Sequence, residues 1–74
     1  MDEVRRRTER ALDTLREALE VARRARDTAR AEGREAFARQ EDVTIAGLAL
    51  RIAWLERQSA AFEERQARRT GGEA

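Results

Sequence analysis

The 74-residue chain contains no cysteine, histidine, lysine, tyrosine or proline. Without cysteine there is no disulfide framework and no thiolate chemistry, and without histidine the usual zinc and haem ligand sets are missing. Ser59 is the only serine, and no imidazole is present to activate it. The neighbouring carboxylates of Glu63 and Glu64 would lie about 100° apart on a helix and do not converge. These absences predict a protein that is not an enzyme and that holds no metal or cofactor.

Long apolar runs are also missing. The least charged stretch, DVTIAGLALRIAWLE at residues 42–56, contains Arg51 between its acidic ends. It is shorter than the roughly 20 apolar residues that a transmembrane helix needs. Residues 1–15 alternate charged and isolated apolar residues, where a signal peptide requires a continuous apolar segment. We therefore expect a cytoplasmic protein that does not cross a membrane.

Charged residues make up 42% of the chain, but they nearly cancel, since 16 basic residues face 15 acids and the net charge is +1. This balance produces no global field that would favour nucleic acid or acidic lipid. The use of arginine for every basic residue, together with abundant alanine, is typical of a G+C-rich bacterium or its phage. A chain of this size rarely has a stable core without a disulfide, a metal or a partner, so a partner chain is expected.

The abundance of Ala, Arg, Glu and Leu predicts an all-α protein. At about 100° per residue, one apolar stripe follows a first helix through Val4, Ala11, Leu12, Leu15, Ala18, Leu19, Ala22, Ala25, Ala29 and Phe37. A second helix carries a seam at spacings of three and four: Ile45, Leu48, Ile52, Leu55, Ser59 and Phe62. The predicted fold is an antiparallel helical hairpin.

Two positions compete for the turn of this hairpin. Gly33 suits the left-handed residue that follows a helix end, whereas Asp42 is the better helix N-cap. A turn at Gly33 sets residues whose numbers sum to 67 opposite each other, which brings large apolar residues together and places Arg26 against Glu41. We favour this register, although a turn near residue 37 or 41 shifts the pairing by a heptad and also preserves an apolar seam.

The predicted domain is a single hairpin over residues 1–70. Its first helix covers about 3–32, its turn about 33–35 and its second helix about 36–69. Residues 71–74 carry no apolar side chain larger than alanine and are expected to be disordered.

The second helix is apolar on more than one side. Away from the seam it carries six apolar or small residues, which are Val43, Ala46, Gly47, Leu50, Trp54 and Ala61. The first helix can cover only one side of its neighbour, so Trp54 either folds back over its own hairpin or contacts another chain. We predict that these six residues form a self-association surface in a homo-oligomer, with a dimeric four-helix bundle favoured. The expected function is that of a small protein–protein interaction adaptor or regulator, and no small-molecule substrate is evident.

Five arginines follow one flank of the first stripe: Arg5, Arg16, Arg23, Arg30 and Arg34. Their stems can cover the seam while their guanidinium groups pair with acids such as Glu41, Glu56 and Glu63 on the neighbouring helix. The alternative hypothesis makes this arginine ridge a phosphate track for RNA or DNA. The sequence contains no recognisable helix-turn-helix or other nucleic-acid-binding motif, so protein interaction remains the leading hypothesis. In shape, the expected dimer is similar to Rop-type RNA-binding hairpin dimers and to the oligomerisation segments of phage small terminases, without a shared motif.

Overall fold

The computed structural model describes residues 2–72 and consists of two α-helices joined by a short turn. α1 spans Asp2–Ala31 and α2 spans Glu35–Gly72. The helices pack against each other as a hairpin that measures 61 × 16 × 12 Å. Within these residues, neither helix has an apolar stretch long enough to span a membrane. The all-α hairpin is therefore confirmed, whereas the four-helix bundle involves a second chain and stays a prediction.

The turn is built around Gly33, whose φ is +74°. The Gly33 N–H donates to the carbonyl of Arg30 at 3.1 Å, and the Arg34 N–H donates to the carbonyl of Ala29 at 2.8 Å. These two bonds close the last turn of α1 as a Schellman motif. Because the left-handed conformation costs a residue with a side chain roughly 1–2 kcal/mol, glycine fits this position best. The chain therefore reverses at the favoured of the two candidate turns.

Asp42, the competing N-cap candidate, lies inside α2. The first backbone hydrogen bond of α2 runs from the Ala38 N–H to the carbonyl of Arg34 at 3.0 Å, which puts Arg34 at the N-cap. Glu35 follows in the first turn, where its negative charge interacts favourably with the helix dipole. A turn near residue 37 or 41 is therefore not the one that the chain adopts.

The helix ends differ from the predicted bounds. α1 begins and ends one residue earlier than the predicted range of 3–32, a difference within the usual spread of helix termini. α2 continues to Gly72 instead of ending near residue 69. Residues 71 and 72 are thus part of the helix in this structure, residues 73 and 74 lie outside the described part, and the disorder expected for the tail stays a prediction.

Side chains near this end of α2 support its last turns. The Thr70 hydroxyl donates to the carbonyl of Gln66 at 2.8 Å. Arg68 and Glu64, four residues apart, form an ion pair of 2.7 Å. Such pairs stabilise a helix by a few tenths of a kcal/mol each, roughly 0.2–0.5.

The core is a narrow seam between the two helices. Five side chains are buried: Leu12, Ala22, Ala29, Ala38 and Ile52. The six residues of the predicted α2 seam are all buried or half-buried: Ile45, Leu48, Ile52, Leu55, Ser59 and Phe62. Next to the turn, the core consists of Ala29 and Ala38, whose small side chains let the helix backbones approach closely.

Four ion pairs among residues 2–72 connect the two helices. Arg26 Nη1 lies 3.5 Å from Asp42 Oδ1, and Arg5 Nε lies 4.0 Å from Glu63 Oε1, pairs whose residue numbers sum to 68. The Arg16–Glu56 and Arg30–Asp42 pairs sum to 72. The register predicted from the sequence has a sum of 67, and long arginine side chains reach past it. Arg26 contacts Asp42 and not the expected Glu41.

Phe37 lies outside the seam in which the stripe places it. Its side chain is 39% exposed, and its ring centroid lies 4.9 Å from Cζ of Arg34. At this end of the hairpin, the buried seam residues are the small alanines Ala29 and Ala38. Three further members of the stripe are exposed at its edge: Val4, Ala11 and Ala18. One neighbouring helix therefore covers only part of the stripe.

Candidate interaction surface

The outer face of α2 exposes three large apolar side chains. Val43, Leu50 and Trp54 are 74%, 71% and 54% exposed, whereas Ile52 on the same helix is 9% exposed. At about 100° per residue, Leu50 and Trp54 each lie roughly 160° from Ile52. Since α1 packs against the Ile52 side, the hairpin by itself leaves this outer face uncovered.

The three smaller residues predicted for the same surface are mostly exposed as well. Ala46 and Gly47 are exposed, and Ala61 is half-buried. A Cβ atom added to Gly47 would meet nothing within 4 Å, so open space adjoins the middle of the face. We call the six residues Val43, Ala46, Gly47, Leu50, Trp54 and Ala61 the outer face of α2.

An open apolar groove of about 690 Å³ adjoins this outer face. Its apolar lining comes from both helices: Ala11, Leu15, Leu50, Trp54 and Leu55. The sequence places Ala11 and Leu15 in the α1 stripe but does not indicate that α1 forms a wall of the exposed surface. The available signal is the position of Ala11, about 100° from Leu12 and thus at the border of the stripe.

Two arginines line the same groove without a neutralising partner. Arg10 belongs to α1 and Arg51 to α2, and Thr14 is the remaining polar residue of the lining. Among residues 2–72, neither guanidinium group has an ion-pair or hydrogen-bond partner. No acidic side chain lines the groove. The groove therefore combines an apolar interior with two uncompensated positive charges.

The arginine ridge has a different environment, because three of its members pair with acids of α2. Arg5 Nε lies 4.0 Å from Glu63 Oε1, and Arg16 Nη2 lies 3.2 Å from Glu56 Oε2. The third pair joins Arg30 Nη2 to Asp42 Oδ2 at 2.8 Å. All six side chains are about half-exposed, so each pair contributes roughly 0.2–1 kcal/mol.

The other two ridge arginines interact with acids near them in the sequence. Arg23 Nη1 lies 3.3 Å from Glu20 Oε1 within α1. Arg34 Nη1 lies 3.9 Å from Glu32 Oε1 at the turn, and its guanidinium group stacks on Phe37. Every ridge arginine thus has a carboxylate beside it. This geometry favours the interpretation in which the ridge supports the hairpin, since the same acids would repel a phosphate chain.

Arg26 lies between two carboxylates at the edge of the seam. Its Nε lies 3.1 Å from Asp27 Oδ1, and its Nη1 lies 3.5 Å from Asp42. The hydrogen bond to Asp27 is the largest cause that raises the pKa of Arg26 above its ordinary value, partial burial lowers it, and the charges of both acids raise it further. Arginine is protonated at all accessible pH values, so the cluster gives the hairpin no pH switch.

Comparison of the chain with protein-family models, curated proteins and solved structures finds no match to any of them. Its class is therefore defined by the geometry alone: an all-α hairpin with an exposed apolar outer face on α2 and an adjoining groove.

Proposed function

We propose that this chain is a non-enzymatic cytoplasmic protein that self-associates through the outer face of α2. The simplest assembly is a two-fold dimer in which two hairpins form a four-helix bundle. In this role the protein acts as a small protein–protein interaction adaptor or regulator.

The observation that carries this proposal is the exposure of Leu50 and Trp54, at 71% and 54%, on the side of α2 that faces away from α1. Burying a large apolar side chain stabilises by roughly 1.5–3 kcal/mol relative to leaving it exposed. Trp is also enriched at the centres of protein interfaces, where it contributes much of the binding energy. A contiguous patch of this kind is typical of an interaction site.

The size of the hairpin supports an interface between two copies. Its broad face measures 61 by 16 Å, which is large enough for the roughly 800 Å² that each partner buries in a stable complex. A two-fold interface uses the same patch on both copies, so one exposed face per chain is sufficient. The net charge of +1 adds little repulsion between two copies.

The non-enzymatic part of the proposal rests on the residue types available. Ser59, the only serine of the chain, is half-buried in the seam. The chain contains no histidine, cysteine or lysine to activate it. RNA or DNA binding, the second candidate, is less well supported because the ridge arginines have carboxylates beside them.

The test compares self-association of the unmodified chain with that of Leu50→Glu. The matched control is Val21→Glu, because Val21 is 59% exposed on α1 and lies outside the outer face of α2. We expect Leu50→Glu to weaken self-association by about 100-fold or more, since moving a carboxylate from water into an apolar interface costs several kcal/mol. We expect Val21→Glu to leave it nearly unchanged. Equal weakening by both variants contradicts this assignment of the interface.

A further inference from the structure

The two edges of the helix seam are chemically different. On α1, Arg16 and Ala11 are five residues apart, which is about 140° around the helix. On α2, Glu56 and Arg51 have the same separation. The Arg16–Glu56 ion pair of 3.2 Å therefore closes one edge, while Ala11 and Arg51 border the other, where the groove lies.

The shape of the groove suits a helical segment better than a small molecule. Its volume of about 690 Å³ is in the range of ligand pockets, roughly 300–1,000 Å³, but the groove is widely open to solvent. Small-molecule sites enclose most of their ligand, which an open groove does not. An amphipathic helix, in contrast, binds by laying its apolar face into such a groove.

The charges at the groove specify the partner further. Arg10 on one wall and Arg51 on the other have no partner among the described residues, and no acid lines the groove. A second copy that docked with its groove directly against this groove would bring its own Arg10 and Arg51 to the same site, and like charges disfavour that arrangement. An apolar helix with carboxylates along its flanks would instead neutralise both guanidinium groups.

We propose that the groove between α1 and α2 binds an acidic amphipathic helix of another protein, whose apolar side chains contact Leu15, Trp54 and Leu55 while its carboxylates pair with Arg10 and Arg51. This inference goes beyond self-association, because the groove is complete in a single copy and its α1 wall lies outside the outer face of α2. Leu50 and Trp54 border both surfaces. The variants that test the groove are therefore chosen at its arginines and on its α1 wall.

Trp54 supplies the signal for the experiment, since it is the only tryptophan of the chain and lines the groove. The probes are two synthetic amphipathic peptides of about 20 residues, a length that spans about 30 Å as a helix. Both have the same leucine and alanine face and no tryptophan, and they differ only in carrying glutamate or lysine along the flanks. The glutamate peptide is expected to bind saturably, to shift Trp54 emission to shorter wavelength and to bind at least about tenfold more tightly than the lysine peptide.

Charge-reversal variants identify the groove as the site. The double variant Arg10→Glu with Arg51→Glu is expected to bind the lysine peptide more tightly than the glutamate peptide. The matched control is Arg6→Glu with Arg39→Glu, which changes the net charge equally at two exposed arginines outside the groove that have no partner among residues 2–72. This control is expected to retain the preference for the glutamate peptide. Ala11→Leu is expected to weaken binding of the glutamate peptide several-fold by filling the groove, with unchanged helicity by circular dichroism.

Three results would overturn the inference: no binding of the glutamate peptide, equal binding of both peptides, or inversion of the preference by the control double variant. A shift of Trp54 emission with phosphatidylglycerol vesicles but not with the glutamate peptide would assign the groove to lipid and would also overturn it. Sedimentation of the same samples separates this inference from self-association. Because Leu50 and Trp54 belong to both surfaces, the peptide and a second copy are expected to compete. A monomeric chain that binds the glutamate peptide supports the groove and contradicts the dimer, and a dimer that neither binds the peptide nor dissociates at saturating peptide concentration contradicts the groove alone.

Discussion

Arg30 of α1 donates a hydrogen bond of 2.8 Å from Nη2 to Oδ2 of Asp42 on α2. The other carboxylate oxygen of Asp42 lies 3.5 Å from Arg26 Nη1, so one acid connects two arginines that are one helical turn apart. Asp42 therefore ties the turn-proximal halves of the two helices together. The sequence alone makes Asp42 a candidate for a helix N-cap, whereas in the structure it lies inside α2 and pairs with two arginines of α1.

Removal of this carboxylate is expected to destabilise the hairpin more than removal of an acid that pairs within one helix. We predict that Asp42→Ala lowers the free energy of unfolding by about 1 kcal/mol, because two partly exposed pairs are lost together. The control is Glu64→Ala, which removes only an exposed ion pair within α2 and should cost about 0.2–0.5 kcal/mol. Urea denaturation followed by circular dichroism measures both. Equal effects of the two substitutions would show that Asp42 does not connect the helices in solution.

The helical class, the hairpin and the turn at Gly33 could all be predicted from the sequence, because proline is absent and the glycine separates two strongly helical runs. Periodicity also places Ile52 in the seam and Leu50 and Trp54 on the opposite side. The seam and outer-face positions depend on the angle of each side chain around the helix axis, and this angle follows from residue spacing alone.

What the sequence could not predict depends on the distance between the helices. The pairing of Arg26 with Asp42 and the exposure of Phe37 both depend on how closely the two helices approach each other next to the turn, where the buried residues are Ala29 and Ala38. The α1 wall of the groove likewise depends on how α2 is rotated against α1. A helical projection specifies neither the distance nor the rotation.

Alanine substitutions at Gly33 and Gly47 are expected to change the stability of the hairpin in opposite directions. Gly33→Ala should destabilise the hairpin by roughly 1–2 kcal/mol, since φ at this position is +74°. Gly47→Ala should stabilise it by up to about 1 kcal/mol, because alanine is the better helix former and its Cβ meets nothing within 4 Å. Both are best measured by thermal denaturation in the Leu50→Glu background, which is expected to be monomeric. Destabilisation by both substitutions would contradict the placement of Gly47 on an open helix face.

Alanine substitutions at a core position and at a surface position of α2, only two residues apart, should also differ in their effect on stability. Ile52→Ala removes a buried side chain and is expected to cost about 2–5 kcal/mol, enough to reduce helicity in dilute solution. Leu50→Ala is expected to change the stability of the isolated hairpin by less than about 0.5 kcal/mol, because Leu50 is 71% exposed. Circular dichroism of the two variants at low protein concentration checks this contrast. A loss of helicity in Leu50→Ala as large as that in Ile52→Ala would place Leu50 in the core of the monomer.

The arginine ridge is expected not to act as a phosphate track. We predict that duplex RNA and DNA produce no saturable change in fluorescence anisotropy at low salt, because every ridge arginine already has a carboxylate beside it. Tight binding at low salt that is lost steeply as salt is added would instead indicate release of counterions from phosphates and would support the nucleic-acid hypothesis.

The central claim, that a second copy covers the outer face of α2, is tested most directly by the mass of the unmodified chain in solution. Sedimentation equilibrium from low to high micromolar concentration should show a mass that rises from the 8.5 kDa of one chain towards twice that value. A mass that stays at 8.5 kDa over the whole range would contradict the claim.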